Sequence, residues 1–336
     1  MHFKKLLRKI KSYDQNADFE LIKRAFEFAD RIHKGQKRAS GDPYVQHVLG
    51  TAYILAELKQ DHVSIAAALL HDVLETTKVT LDELKGKFGE EVAMLVDGVT
   101  KLSSIKYHDK YERDAESIRK MFLATAKDIR VLIIKLADKL HNMRTLGSLT
   151  EEQQKRISQA TLDIYAPLAY RLGIASIKWE LEDIAFKYLH PETYAKFREK
   201  FGKKRKQREA EIKKLSKLIE KELKKHNIPS NITGRPKHFY SIYRKMIEKH
   251  RTFEELYDLT ALRIITDTVK HCYEILGIIH TVWKPIPREF DDYVAMPKAN
   301  MYQSLHTAVI GPNGQPIEIQ IRTKEMHEIA EEGVAA

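Results

Sequence analysis

The sequence predicts a multi-domain chain: an all-α N-terminal half, a helical connector, and a C-terminal α+β domain built on a mixed sheet. Three observations carry that reading. At 336 residues the chain is long enough for two cores. Apolar residues recur at helical spacing through residues 1 to about 195, with few strand signals and no internal repeat. From about Ile228 the pattern changes to strand-forming runs mixed with helices. The boundaries that follow are 1–150, 151–200 and 201–336.

Hydrophobic content of 43% and charged content of 31% are those of a soluble globular protein. No run approaches a membrane span, and the basic N-terminus (MHFKKLLRKIKSYDQ) lacks the apolar core of a signal peptide. Cys272 is the only cysteine, which excludes a disulfide framework and a cysteine zinc site. A cytoplasmic protein with no membrane partner is the natural reading. The net charge of +11 suggests an anionic partner without naming it. Much of that charge lies between Lys203 and Lys225, where Ile212, Leu215, Ile219 and Leu223 form an apolar stripe. The simplest reading is a long amphipathic helix with a solvated face, a ribosome or RNA contact being the alternative.

In the N-terminal half, Ser64 to Glu75 (SIAAALLHDVLE) is apolar nearly all round and reads as a buried helix. His71 and Asp72 side by side in it are costly unless something pairs or ligates them. Val131, Ile134 and Asp138 share a helical face, which sets a second aspartate against an apolar side. Upstream, the turn Gly41-Asp42-Pro43-Tyr44 leads into another apolar helix at His47. Two histidines and two aspartates on separate buried helices can form a mixed N/O metal site with open positions. That set suits Mn²⁺, Fe or Mg²⁺ better than structural zinc. Each histidine taken alone is more simply a satisfied core residue. Tyr165 to Leu189 reads as connecting helices broken at Gly173, with Trp179 in the core.

In the C-terminal half, GRPKHFYSIYRKM (Gly234 to Met246) reads as a turn followed by a helix from Lys237. Lys237, Ser241 and Lys245 make a cation–hydroxyl–cation stripe, a plausible seat for a polyphosphate or an ordinary solvated face. LTALRIIT (Leu259 to Thr266) is a strand entered from Asp258, and TAVIGPNGQPIEIQIRT a hairpin turning at Gly311 to Gln315. On its return strand Glu318, Gln320 and Arg322 face opposite to Ile317, Ile319 and Ile321. Asp258 and Glu318, each tied to a strand, could converge on one Mg²⁺; a merely wet strand face is the alternative. Pro287 to Thr307 reads as a long irregular segment whose Lys298, Asn300, Tyr302 and His306 could bind a purine nucleotide, or as a surface loop.

The order His47, His71-Asp72, Asp138 resembles the HD family of metal-dependent phosphohydrolases, in which those four residues are the metal ligands. Over nearly its whole length the chain resembles the catalytic half of the RelA/SpoT homologue family, enzymes that make and degrade guanosine tetra- and pentaphosphate. The segments LLHD, KLADKLHNMRTL, YAPLAYRLG, GRPKHFYSIYRKM, YDLTALRI, ANMYQSLHT and IEIQIRTKEMH carry it. The resemblance implies an HD-type hydrolase at 1–150 and a nucleotidyltransferase-like synthetase at 201–336. That synthetase, a GTP/GDP pyrophosphokinase of the stringent response, moves diphosphate from ATP to the 3′-hydroxyl of GDP or GTP. It implies ATP phosphates at Arg235, Lys237, Ser241 and Lys245, with adenine near Arg263. Mg²⁺ is expected at Asp258 and Glu318, Glu318 also helping to deprotonate the attacking hydroxyl. The acceptor guanine is expected on Tyr302, among Lys298, Asn300 and His306.

For the first domain the resemblance implies Mn²⁺-dependent removal of the 3′-diphosphate from ppGpp or pppGpp. Arg38, Asn142 and Thr145 are expected on the nucleotide and Glu75 beside the water. Two departures stand out. Thr76 stands where the family's hydrolases carry a second carboxylate, which implies weakened hydrolysis. Glu289-Phe290-Asp291-Asp292 is the acidic variant of the family's synthetase-only members. The alternative that these imply is a synthetase whose HD domain binds nucleotide without catalysis. Long members reach the ribosome through domains beyond the segment matched here.

Overall fold

The computed structural model describes residues 2–103, 128–235, 238–249 and 260–335. They form two compact units: Met1–Ala169 with Glu180–Ala185 and Ala335–Ala336, and Tyr170–Trp179 with Phe186–Val334.

The first unit is helical. Its helices are α1 (Phe3–Lys11), α2 (Phe19–Ile32), α3 (Val45–Glu57), α4 (His62–Leu70), the single turn α5 (Val73–Thr76), α6 (Leu81–Phe88), α7 (Glu90–Ser103), α8 (Arg130–Arg144) and α9 (Glu151–Ala160). Short polar residues start several of them. The Asp18 carboxylate accepts from Leu21 N at the head of α2, and Asp61 from Ser64 N at the head of α4. Thr150 and Gln153 close a reciprocal capping box on α9. In α4 every residue from Ser64 to Leu70 is buried, against α2, α3 and α7. Each Leu or Ile so buried contributes roughly 1.5–3 kcal/mol, which fixes the helix whose end carries His71 and Asp72. After α9 the chain takes one π-helical turn, Thr161–Tyr165, before α10 (Ala166–Arg171).

Gly173, at φ +74°, lies between α10 and α11 (Ala175–Leu189), at the break that the sequence suggests. Trp179 stacks on His238 at 4.5 Å and is half-buried. In the second unit α12 (Pro191–Lys225) starts on a proline and runs 35 residues. Its Leu215, Ile219 and Leu223 are buried against the sheet, as the apolar stripe requires.

That sheet is mixed, ordered β1-β2-β5-β4-β3, and β2·β5 is its parallel pair. The strands are β1 (Asn231–Gly234), β2 (Thr260–Thr266), β3 (Pro285–Asp292), β4 (Leu305–Ile310) and β5 (Pro316–Thr323). Register sorts the side chains. Ile232, Leu262, Ile264, Leu305, Val309, Ile317, Ile319 and Ile321 share the apolar face with Cys272, Ile275 and Ile279 of α14 (Val269–Val282). The opposite face carries Arg263, His306, Glu318, Gln320 and Arg322. Helices α13 (Phe239–Lys249) and α15 (Lys324–Glu332) complete the unit.

Two expectations are corrected. Ser64 to Glu75, expected as one buried helix, breaks after Leu70, and Glu75 lies exposed on the separate turn α5. Pro287–Asp292, expected to be irregular, belongs to strand β3, which lies at the sheet's edge. An edge strand tolerates prolines because its outward N–H groups need no partner. The register shifts between Pro285 and Phe290, where Arg288 sits at φ +66°.

Candidate functional sites

The first site forms where α3, the end of α4 and α8 meet. His47 sits one turn into α3, His71 caps α4, and Asp138 lies on the buried face of α8. His47 Nε2 is 3.3 Å from His71 Nε2, 3.2 Å from Asp138 Oδ1 and 3.4 Å from Asp72 Oδ2. His71 Nε2 is 3.3 Å from Asp72 Oδ1 and 3.6 Å from Asp138 Oδ1. The donor atoms of His47, His71 and Asp138 all lie within 4.8 Å of one another, and all three residues are buried. Adjacent ligands on one ion at ~2.1 Å stand ~3 Å apart, so the spacing fits a shared divalent cation. So does the chemistry: two imidazole nitrogens and the Asp138 carboxylate turned toward one point are costly to bury without a cation between them, and Asp72, 3.3–3.4 Å from the histidines, stands beside that set rather than in it.

The surrounding charges agree. Burial alone would push the His71 imidazole down, but Asp72 and Asp138 outweigh it and push it up to about 9. Burial likewise works to raise Asp72 and Asp138, yet both are held below the usual carboxylate range, Asp72 by His71 and His47 and Asp138 first by Lys135. Lys135 Nζ donates to Asp138 Oδ2 at 2.7 Å and to Ser103 Oγ at 2.8 Å. Tyr44 Oη donates to Asp72 Oδ2 at 2.7 Å. His71 Nδ1 meets the Ala68 carbonyl at 2.8 Å, and His47 Nδ1 meets His141 Nδ1 at 2.9 Å. Burial, then the charges of His47, Arg38 and Arg144, push the His141 imidazole down to about 3.

A polar cavity of about 260 Å³ opens onto Tyr44, His47, Asp72, Lys135 and Asp138, with Arg38, Glu75, Asn142 and Tyr165 also in its wall. Arg38 Nη2 donates to Asn142 Oδ1 at 2.5 Å, and Asn142 Nδ2 to Asp138 Oδ1 at 2.6 Å, so a cation at the rim is tied to the buried carboxylate. The Glu75 carboxyl is raised, chiefly by burial. Thr145 caps α8 outside the cavity wall, its hydroxyl donating to the Asn142 carbonyl at 3.2 Å. Thr76 is exposed, with its hydroxyl donating to the Asp72 carbonyl at 2.7 Å. Sequence reasoning missed Tyr44, Ser103, Lys135, His141 and Tyr165. Lys135, one turn before Asp138, is the one that helical spacing could have flagged.

The second site is the polar face of the sheet. Glu318 on β5 lies between Ala261 on β2 and Ala308 on β4, so its carboxylate stands between two methyl groups, open to a ligand. Arg235, held by its N–H to the Ala261 carbonyl at 2.8 Å, reaches Glu318 with Nη1 at 3.8 Å. Lys298 Nζ lies 4.2 Å from the Tyr293 ring centre and 5.5 Å from that of Tyr302. Tyr302 Oη is 2.8 Å from His306 Nε2, and Asn300 Oδ1 accepts from Tyr302 N at 3.3 Å. Burial, then Arg235, Lys298, Arg322 and Lys245, push the His306 imidazole down to about 3.

Arg263 Nη2 pairs with Glu331 Oε1 at 3.1 Å, and that oxygen also takes Arg322 Nη2 at 2.9 Å. Ser241 and Lys245 lie on α13, Ser241 half-buried and Lys245 exposed. Lys237 and Asp258 lie outside the described residues.

These features define an HD domain joined to an α+β domain with a cationic sheet face. A family model described as "HD domain" matches residues 25–175, and one described as "Region found in RelA / SpoT proteins" matches 234–336. Residues 25–175 thus carry an HD domain and residues 234–336 the region found in RelA/SpoT proteins.

The chain is 49% identical over 334 residues to a GTP pyrophosphokinase of Streptomyces coelicolor, covering 98% of this chain and 39% of the relative. It is 47% identical over 334 residues to the bifunctional (p)ppGpp synthase/hydrolase SpoT of Escherichia coli, covering 99% of this chain and 48% of that one. A guanosine-3′,5′-bis(diphosphate) 3′-pyrophosphohydrolase of Aquifex aeolicus is 50% identical over 325 residues, with 96% and 46% covered. The chain thus spans less than half the length of these relatives. No helix among the described residues is long and apolar enough to cross a membrane.

Proposed function

We propose that the chain synthesises guanosine tetra- and pentaphosphate at its sheet face and hydrolyses them in its HD domain, as a cytoplasmic enzyme of the stringent response. The division is hydrolase at 1–150, connector at 151–200 and synthetase at 201–336. What supports the synthetase half is the crowd of cations, Arg235, Lys298, Arg322 and Lys245, that adds to burial in holding His306 down. Such a field suits a polyphosphate.

Arg235, Lys237, Ser241 and Lys245 would grip the ATP phosphates, with Arg263 near adenine. Tyr302 would stack on the guanine of GDP or GTP, among Lys298, Asn300 and His306. The acceptor's 3′-oxygen then attacks the β-phosphorus of ATP. The new O–P bond forms as the α,β-bridging bond breaks, AMP leaves, and Glu318 takes the hydroxyl proton. The residues supply alignment and charge neutralisation, which is most of what phosphoryl chemistry needs. Mg²⁺ held by Asp258 and Glu318 would add to that neutralisation.

In the HD domain His47, His71, Asp72 and Asp138 would hold Mn²⁺, whose chemistry is Lewis acidity and a lowered pKa for water. Arg38, braced on Asn142, would hold the nucleotide, with Thr145 at the edge of that contact. Glu75 would orient the water and receive its proton, a role suited to a carboxyl raised by burial.

Purified chain given ATP and GDP should release AMP and guanosine tetraphosphate, and given labelled tetraphosphate with Mn²⁺ should release diphosphate. Glu318→Ala should lower synthesis at least 100-fold and spare hydrolysis, and Asp138→Asn should do the reverse. Equal loss of both activities in either variant would refute the division. A second reading, a silent HD domain, is favoured by Thr76, which offers no carboxylate and spends its hydroxyl on a backbone carbonyl. Robust synthesis with no diphosphate release in Mn²⁺ would establish it.

A further inference from the structure

The two histidines at the HD cluster are held by unlike partners. His71 turns Nε2 to the cluster and Nδ1 to the Ala68 carbonyl at 2.8 Å. A carbonyl can only accept, so the Nδ1 of His71 carries a proton. His47 also turns Nε2 to the cluster, but its Nδ1 faces another imidazole nitrogen, Nδ1 of His141, at 2.9 Å. Only one of those two nitrogens can donate, and either could.

His141 is set one turn after Asp138 on α8. Its ring lies against α3 at Gly50, one turn after His47, with ring centroids of His47 and His141 4.9 Å apart. A β-carbon at Gly50 would fall 2.2 Å from both Cδ2 and Nε2 of His141, so only glycine leaves room for that ring. His141 does not line the cavity and meets the site through Nδ1 of His47.

We propose that His141 is a positioning residue that accepts the Nδ1 proton of His47, fixing the tautomer whose Nε2 lone pair faces the ion, and that Gly50 is the space it occupies. The inference rests on the reading that His47, His71, Asp72 and Asp138 hold a divalent cation. Outer partners of this kind commonly change metal affinity 10–100-fold when removed.

The test uses the full chain. In Zn²⁺-loaded, ¹⁵N-histidine-labelled protein, a through-hydrogen-bond ¹⁵N–¹⁵N coupling should join His47 Nδ1 to His141 Nδ1. His141 should carry its proton on Nε2. Neither signal depends on a variant folding, and absence of the coupling or a proton on His141 Nδ1 would overturn the proposal. Mn²⁺ affinity, read by electron paramagnetic resonance, should fall 10–100-fold in His141→Phe, which keeps the ring and removes the acceptor. His141→Asn, which restores an amide oxygen, should recover most of the loss. Equal affinity in wild type and His141→Phe, or equal loss in both variants, would discard His141 alone. No Mn²⁺ binding by the wild type would discard the metal reading itself.

Discussion

His306 concentrates the chemistry of the sheet face in one side chain. It is enclosed and surrounded by Arg235, Lys298, Arg322 and Lys245, which together with burial hold its imidazole down to about 3. As a neutral ring it can accept the Tyr302 hydroxyl proton at Nε2, 2.8 Å away; a protonated ring could only donate there. The sign of the linkage follows. Between about 3 and 6.5 the unfolded chain binds a proton at this position and the folded chain does not. Stability is therefore fully present above pH 6.5 and falls as the pH drops, by about 1.4 kcal/mol per unit from this residue. Histidine ¹⁵N spectra should show His306 neutral down to pH 5, and adding ATP, whose phosphates offset the same cations, should raise its midpoint. A midpoint near 6.5 in the free protein would contradict the field on which the synthetase reading rests.

At the scale of elements, β5 and α15 form a single device. Thr323 ends the strand and caps the helix, its hydroxyl accepting from Met326 N at 3.1 Å. The helix then carries Glu331 back to Arg263 and to the buried Arg322. Thr323→Ala should cost about 1 kcal/mol, read as a lower urea midpoint with an unchanged slope, and should loosen the Arg263 side chain. The strand was legible because Ile317, Ile319 and Ile321 alternate with Glu318, Gln320 and Arg322. Its pairing to Glu331 was not, since nothing in local spacing tells which distant carboxylate a buried arginine will choose. The same contrast holds in the HD domain. His47, His71, Asp72 and Asp138 stand out because polar groups on apolar faces are costly. Tyr44 and His141 sit in unremarkable local patterns; Tyr44 acquires its role when the start of α3 meets Asp72 at the end of α4, and His141 when α3 packs on α8. Strand β3 was missed for a third reason: Pro285 and Pro287 argue against a strand, and only its place at the edge removes the objection.

For the whole molecule, the position of the metal cluster decides which part of the chain responds to it. His47, His71, Asp72 and Asp138 all belong to the first unit, on α3, at the end of α4 and on α8. Lys135 pairs with Asp138 there at 2.7 Å, and a divalent ion adds attraction that this one pair does not supply. An ion that binds only the folded form stabilises it by about 2.7 kcal/mol at a hundred times its dissociation constant. Hydrogen exchange followed by mass spectrometry with Mn²⁺ and then with EDTA should therefore show protection gained in α3, α4 and α8. The strands β2, β4 and β5, whose apolar face rests on Ile275 and Ile279 of α14 and on Ile219 of α12, should exchange alike in both conditions. Uniform protection across both units, or none in α3 and α8, would mean that the buried histidines and aspartates are not where the ion binds.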